Sequence, residues 1–376
     1  MAGIYLHIPF CKQKCHYCNF YTTGSLKYRD DFVKAIKLEI QSRKDYLGSN
    51  KITTIYFGGG TPSMLSVEEL NEILETIYGV YDVEPNSEIT LESNPDDIDF
   101  EYLADLKKHS PINRLSIGIQ SFFDDDLKYL HRVHDSKRAK KCIENTLKVG
   151  FENLTIDLIY GIPTLTNDKW TENLKLFFDY NIPHLSSYSL TVEPKTALDV
   201  LIRKQRFANI DEKQSIKHFN TLIEQTDKNS YVNYEISNFA KKGFYSKHNS
   251  IYWLGGRYIG FGPSAHSYNG LSRQWNVMNM KKYCNSDSSN LIKEKEVLSE
   301  SQMYNEYILT SLRTSWGCDL EHIYNVFGDG YSEHFHKTII PFIESGKILK
   351  RGSVYTLTNA GKLFADGIAS TLFFDI

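Results

Sequence analysis

The chain has 376 residues, with 43 Lys and Arg against 46 Asp and Glu, so its formal net charge of −3 leaves no excess positive charge for general polyanion binding. At 41% hydrophobic and 24% charged residues it falls within the globular range, long enough for one large domain or two ordinary ones. It has no run of about 18 apolar residues to span a bilayer. The opening MAGIYLHIPF lacks the basic flank and long apolar stretch of a signal peptide, so a cytoplasmic location is expected.

Taken in chain order, β-type apolar runs at 4–8, 53–57, 88–91, 114–119, 154–159 and 184–190 alternate with amphipathic segments at 31–46, 67–78, 102–108, 137–149 and 170–180. The second of these segments opens on a Ser66/Glu69 capping box. Parallel strands need helical crossovers, so the alternation predicts a parallel sheet, either open and doubly wound or rolled into a full or partial barrel. In either form the C-terminal strand ends face the ligand site. Those ends carry Phe10 leading into three cysteines, Gly58-Gly59-Gly60-Thr61-Pro62, Glu92-Ser93-Asn94-Pro95, Gln120-Ser121, Asp157 and Tyr188-Ser189. Beyond about residue 240 the alternation stops. Residues 241–268 are rich in Gly, Tyr and His, 302–314 reads as a helix, and 347–357 reads as a hairpin about Arg351-Gly352 with a helix from Ala360. This predicts a core domain over 1–240 and a smaller α/β or winged-helix-like domain over 241–376.

Of the six cysteines, Cys142, Cys284 and Cys318 are scattered and read as small buried hydrophobes, whereas Cys11, Cys15 and Cys18 form a CxxxCxxC cluster just after the first strand. Such a cluster is more often metal-binding or catalytic than part of a disulfide framework. Zinc sites usually pair two CxxC knuckles or one knuckle with a distant His pair, and c-type haem attachment needs CxxCH, where Asn19 stands here. Ordinary [4Fe-4S] clusters take four cysteines, so three closely spaced ones would leave one iron open to another ligand.

With Gly58-Gly59-Gly60-Thr61-Pro62 after the second strand and a six-unit βα layout, this motif resembles the radical SAM superfamily. The resemblance implies a partial (β/α)6 TIM-like barrel and a [4Fe-4S] cluster on Cys11, Cys15 and Cys18, with S-adenosylmethionine on the open iron. Nearly the whole chain looks like the coproporphyrinogen dehydrogenase group, and most like the HemW-type haem chaperones within it. In this group Tyr5 is expected near the sulfonium and Tyr17 between the second and third cysteines. Gly59, Gly60 and Thr61 are expected beside the methionine moiety, and Glu92, Gln120, Arg132, Asp157 and Ser189 around the nucleoside and carboxylate. The residue types suit those roles: a carboxylate or amide holds a ribose diol, an arginine pairs a carboxylate, and glycines admit a ligand close to the backbone.

Two features separate the chaperones from the oxidases. The oxidases carry a further cysteine two residues after the third and a substantial segment before the cluster; here Phe20 takes that position and ten residues precede Cys11. The segment His248-Asn249-Ser250-Ile251-Tyr252-Trp253 resembles the HNxxYW signature of the chaperones and makes His248 the candidate haem ligand, with His266 and Cys318 secondary. The expected function is a haem chaperone that binds the cluster, S-adenosylmethionine and haem and passes haem to an acceptor haemoprotein. The alternative is an oxygen-independent coproporphyrinogen III dehydrogenase or a related tetrapyrrole radical SAM enzyme. An acceptor in a respiratory complex would imply peripheral membrane association, and homodimerisation is left open. The charge balance argues against nucleic acid as a partner.

Overall fold

The computed structural model describes residues 2–286 and 290–374. The first half alternates as expected: β1 (Ala2–Ile8), α1 (Arg29–Ser42), β2 (Ile52–Gly59), α2 (Val67–Val80), β3 (Val83–Ser93), α3 (Phe100–His109), β4 (Arg114–Gln120), α4 (Asp124–Leu130), α5 (Ser136–Val149), β5 (Leu154–Tyr160), α6 (Asn167–Asp179) and β6 (His184–Ser189). The Ser66/Glu69 capping box forms at the start of α2, and Asp99, Asp135 and Thr166 cap the N-termini of α3, α5 and α6. The six strands lie side by side in sequence order, all parallel.

Residue alternation along these strands decides the shape. Ile4, Leu6 and Ile8 of β1, Ile55 and Phe57 of β2, Ile89 and Leu91 of β3, and Leu115, Ile117 and Ile119 of β4 join the helices in one hydrophobic core. Residues of the opposite parity, including Tyr5, Tyr56, Glu92, Arg114, Ser116, Asp157, His184 and Tyr188, line a cavity instead. A parallel sheet covered by helices on both faces would be apolar at both parities. Here one face is helix-covered and the other encloses a polar lumen, which is the barrel-like choice rather than the doubly wound one. The sheet stays open, since β1 and β6 are not neighbours in the strand order.

The sheet does not stop at six strands. After α7 (Ala197–Arg203) and α8 (Glu212–Lys228), β7 (Val232–Glu235) and β8 (Asn238–Ala240) extend it antiparallel beyond β6. Then come α9 (Lys247–Trp253), β9 (Arg257–Phe261), β10 (His266–Tyr268), β11 (Ser272–Asn276), α10 (Met280–Cys284) and β12 (Ile292–Val297). Strand β9 lies parallel beside β1, and β10 to β12 continue outward antiparallel. Ile259, Phe261, Met280, Tyr283 and Leu291 share the core of the first half, so packing continues through residue 240, where the composition changes. A second core begins at Tyr304. It joins α11 (Glu300–Leu312), β13 (Cys318–Asp319), α12 (Leu320–Phe327), α13 (Asp329–Glu344), β14 (Ile348–Arg351), β15 (Val354–Leu357) and, after the short α14 (Asn359–Lys362), α15 (Ala365–Thr371). Its three-stranded antiparallel sheet, with the expected hairpin as two of the strands, gives this part the winged-helix-like form.

Candidate functional site

The three cluster cysteines, the ten residues expected around S-adenosylmethionine and His248 all border one cavity of about 600 Å³. The cysteine loop leaves β1 at its C-terminal end and is pinned by backbone hydrogen bonds from Cys11 to Thr23 (3.0 Å) and from Thr23 to Pro9 (2.8 Å). Cys11, Cys15 and Cys18 are each half-buried and free of disulfides. Burial pushes the Cys11 thiol up to about 11 and raises that of Cys18. Thr61 donates from Oγ1 to Cys11 Sγ (3.5 Å), and Arg132 Nη1 donates to Cys15 Sγ (3.3 Å). Among the described residues no group of three or more His, Cys, Asp or Glu side chains is placed to hold a metal ion. The three cysteines border one cavity, and thiolates are the donors that an iron-sulfur cluster takes.

The glycine loop is explained by the protein's own atoms. A Cβ on Gly59, whose φ is +105°, would sit 2.5 Å from His7 Nδ1, and one on Gly60 would sit 2.6 Å from the Phe10 carbonyl oxygen. Its amides are also engaged: Gly59 N–H donates to Glu92 Oε2 (3.1 Å), Gly60 N–H to the Ile8 carbonyl (2.8 Å) and Thr61 N–H to the Phe10 carbonyl (2.7 Å). The glycines therefore let this loop lie flat against the start of the cysteine loop. Gly59 and Gly60 still border the cavity on their other side.

Glu92 accepts from Tyr56 Oη (2.6 Å) as well as from Gly59, and burial raises its carboxyl above the usual range. Asp157, on the neighbouring wall, accepts from Ser116 Oγ (3.4 Å); burial first, and the Glu92 charge second, push it up to about 7. Gln120 ends β4 with φ +66° and accepts from Tyr188 Oη (3.5 Å). Tyr17 and Ser189 face the same space. Arg132 is held by Asn94 and the Gly118 carbonyl (2.9 Å), so its guanidinium lies beside Cys15 rather than open in the cavity. Tyr5 donates to His7 Nδ1 (3.1 Å), because His7 Nε2–H is committed to the Tyr21 carbonyl (2.9 Å), and its ring stacks on Tyr56 with centroids 6.2 Å apart.

Helix α9 closes the far end of the lumen. Glu88 of β3 accepts from the backbone N–H of Lys247 (3.2 Å) and His248 (3.1 Å), placing a carboxylate at the start of α9. His248 is 1% exposed, and its Nδ1 bonds Thr54 Oγ1 (2.8 Å) while its Nε2 bonds Tyr252 Oη (2.9 Å). Its ring stacks on Tyr56 with centroids 4.9 Å apart, and burial with the nearby Arg114 charge lowers it to about 3. Neither nitrogen is free for iron in this arrangement. Cys318 is fully buried in the second core, and His266 stacks on Trp275 away from the cavity lining, so neither reaches the cavity.

The motif reading passed over Tyr56, Arg114, His184 and Ser186, which line the same cavity. Their signal is the two-residue alternation of polar side chains along strands that a fully helix-covered parallel sheet would keep apolar.

The half-barrel, glycine loop and cysteine loop define a radical SAM fold, and residues 5–177 match the Radical SAM superfamily while 298–364 match the HemN C-terminal domain. Over 98% of both chains this protein is 35% identical to Heme chaperone HemW of Bacillus subtilis. It is 33% identical to that of Lactococcus lactis over 90% of this chain and 88% of the relative. The chain belongs to the family of these HemW proteins. In structure it resembles coproporphyrinogen III oxidase (HemN) from Escherichia coli, a radical SAM enzyme, with a TM-score of 0.84, 21% identity, and coverage of 99% of this chain and 90% of that one. That likeness establishes the shared fold.

Proposed function

We propose that this protein is a haem chaperone on a radical SAM scaffold. Its cluster is held by Cys11, Cys15 and Cys18 and its S-adenosylmethionine by the lumen wall, and it passes haem to an acceptor haemoprotein. The observation that carries the cofactor reading is the convergence of residues from six separate strand ends on one cavity beside the three cysteines. When bound, a reduced cluster would supply one electron to the sulfonium of S-adenosylmethionine. Asp157 and Gln120 suit the ribose diol, and Arg132 keeps a positive charge beside the Cys15 sulfur. Arg132, tied to Asn94 and Gly118, is better placed to steady the cluster loop than to reach a cofactor carboxylate. The haem reading is supported by similarity to HemW proteins over nearly the whole chain and by Phe20 in the place of the oxidases' extra cysteine.

We further propose that the unit boundary lies near residue 298, where the sheet ends and the second core begins. A cytoplasmic setting fits the family reading, and among the described residues no helix is long and apolar enough to cross a membrane. The test is anaerobic reconstitution followed by haem titration: a stoichiometric Soret shift without protoporphyrinogen formation is expected. Coproporphyrinogen turnover without haem binding would replace this reading by the oxidase one.

A further inference from the structure

We propose that His131, backed by the ring of His16 at the mouth of the cavity, is the axial ligand through which this protein takes haem iron. The inference rests on the haem-chaperone reading and names its binding site.

Three histidines line the cavity among the described residues: His131, His184 and His248. His184 is bonded at both nitrogens, Nδ1 to Thr155 Oγ1 (3.1 Å) and Nε2 to Tyr234 Oη (2.8 Å), as His248 is by Thr54 and Tyr252. His131 differs. It is exposed, and its Nδ1 meets the Lys14 carbonyl oxygen at 3.2 Å. A carbonyl only accepts, so the neutral ring carries its proton on Nδ1 and its lone pair on Nε2. Nε2 has no hydrogen-bond partner among the described residues. A backbone carbonyl fixing one ring nitrogen while the other is free is the arrangement that orients metal-ligating histidines.

The ring is also held in place. His131 caps the C-terminus of α4 in the left-handed region (φ +61°), and it stacks on His16 with centroids 4.3 Å apart and planes 8° from parallel. His16 in turn bonds the Tyr129 carbonyl through Nδ1 (3.0 Å) and meets the edge of Phe207 at 5.3 Å. The imidazole is therefore preorganised rather than a freely rotating surface side chain. Its surroundings suit a flat apolar disc with acidic edges. Phe20 and Val133, 60% and 52% exposed, line the same mouth, and Lys14 is exposed beside them with no ion pair among the described residues. An apolar macrocycle covers Phe20 and Val133, its propionates meet Lys14, and Nε2 is the ring nitrogen left to the iron.

The experiment is haem titration of the full-length, cluster-reconstituted protein, read by optical, EPR and resonance Raman signatures of histidine ligation, in wild type, H131G and H248A. Glycine suits the left-handed conformation at 131 and keeps the loop intact, with iron and sulfide content as the check on folding. H131G should lose the histidine-ligated signature and at least tenfold in haem affinity. Added imidazole should restore the signature, and H248A should retain it. An unchanged signature in H131G, or its loss in H248A alone, overturns the assignment while leaving the haem reading standing. Absence of any haem signature in the wild type overturns both.

Discussion

At the scale of single residues, the lumen places two carboxylates where water is scarce, and Asp157 feels it most. Its native value of about 7 lies above that of the unfolded chain, so the folded state holds a proton that the unfolded state releases. The stability this group contributes is complete at pH below about 4 and is lost as pH rises to about 7. D157N removes that dependence: urea denaturation of the cofactor-free protein should show the variant gaining about 2–4 kcal/mol on wild type between pH 4.5 and pH 8. The same variant should bind S-adenosylmethionine about tenfold more weakly by calorimetry at pH 8, since an amide accepts more weakly than a carboxylate. Gly60 yields the opposite kind of change. A methyl group there meets the Phe10 backbone, which cannot move without shifting Cys11. G60A should cost about 1–3 kcal/mol and lower the iron retained after reconstitution.

At the scale of elements, one buried carboxylate on α1 adds to the β1–β9 pairing and the shared core in tying the added strands to the barrel. Glu39 accepts from Arg43 Nη1 (2.6 Å), Tyr283 Oη (2.7 Å), Asn276 Nδ2 (2.7 Å) and Gly262 N–H (2.9 Å), joining α1 to three segments of the 257–284 region. Removing it leaves four donors and a guanidinium charge without their partner. E39A should destabilise by about 3–5 kcal/mol, and limited proteolysis should open the chain between β9 and α10 before it cuts the barrel. No motif announces Glu39. In sequence it is one more acidic residue of an amphipathic helix, and three of its four partners stand more than 200 residues away.

At the scale of the molecule, two cores share one chain. The second touches the first through Ser315 N–H to the Tyr234 carbonyl (2.9 Å), an Arg273–Glu306 ion pair and Arg313 over the Trp253 ring at 5.9 Å. The cavity is lined wholly by residues before 253. A chain ending at residue 297 should therefore still take up iron on reconstitution, while its melting temperature falls by several degrees as Tyr245 and Trp253 lose their cover. Loss of iron binding in that truncation would show that the second core supports the site directly.

The strand and helix alternation, the cysteine cluster and the motif residues at the strand ends could be read from the sequence, because period-2 and period-3.6 patterns and short motifs are local. The continuation of the sheet past residue 240 could not, since β9 pairs with β1 across 255 positions and strand partners at that separation leave no local mark. Nor could the state of each histidine. His248 stands in a haem-like motif yet has both nitrogens occupied, while His131 stands in no haem motif and keeps one free. Which lone pair is available depends on neighbours brought together by the fold, and only the tertiary structure decides that.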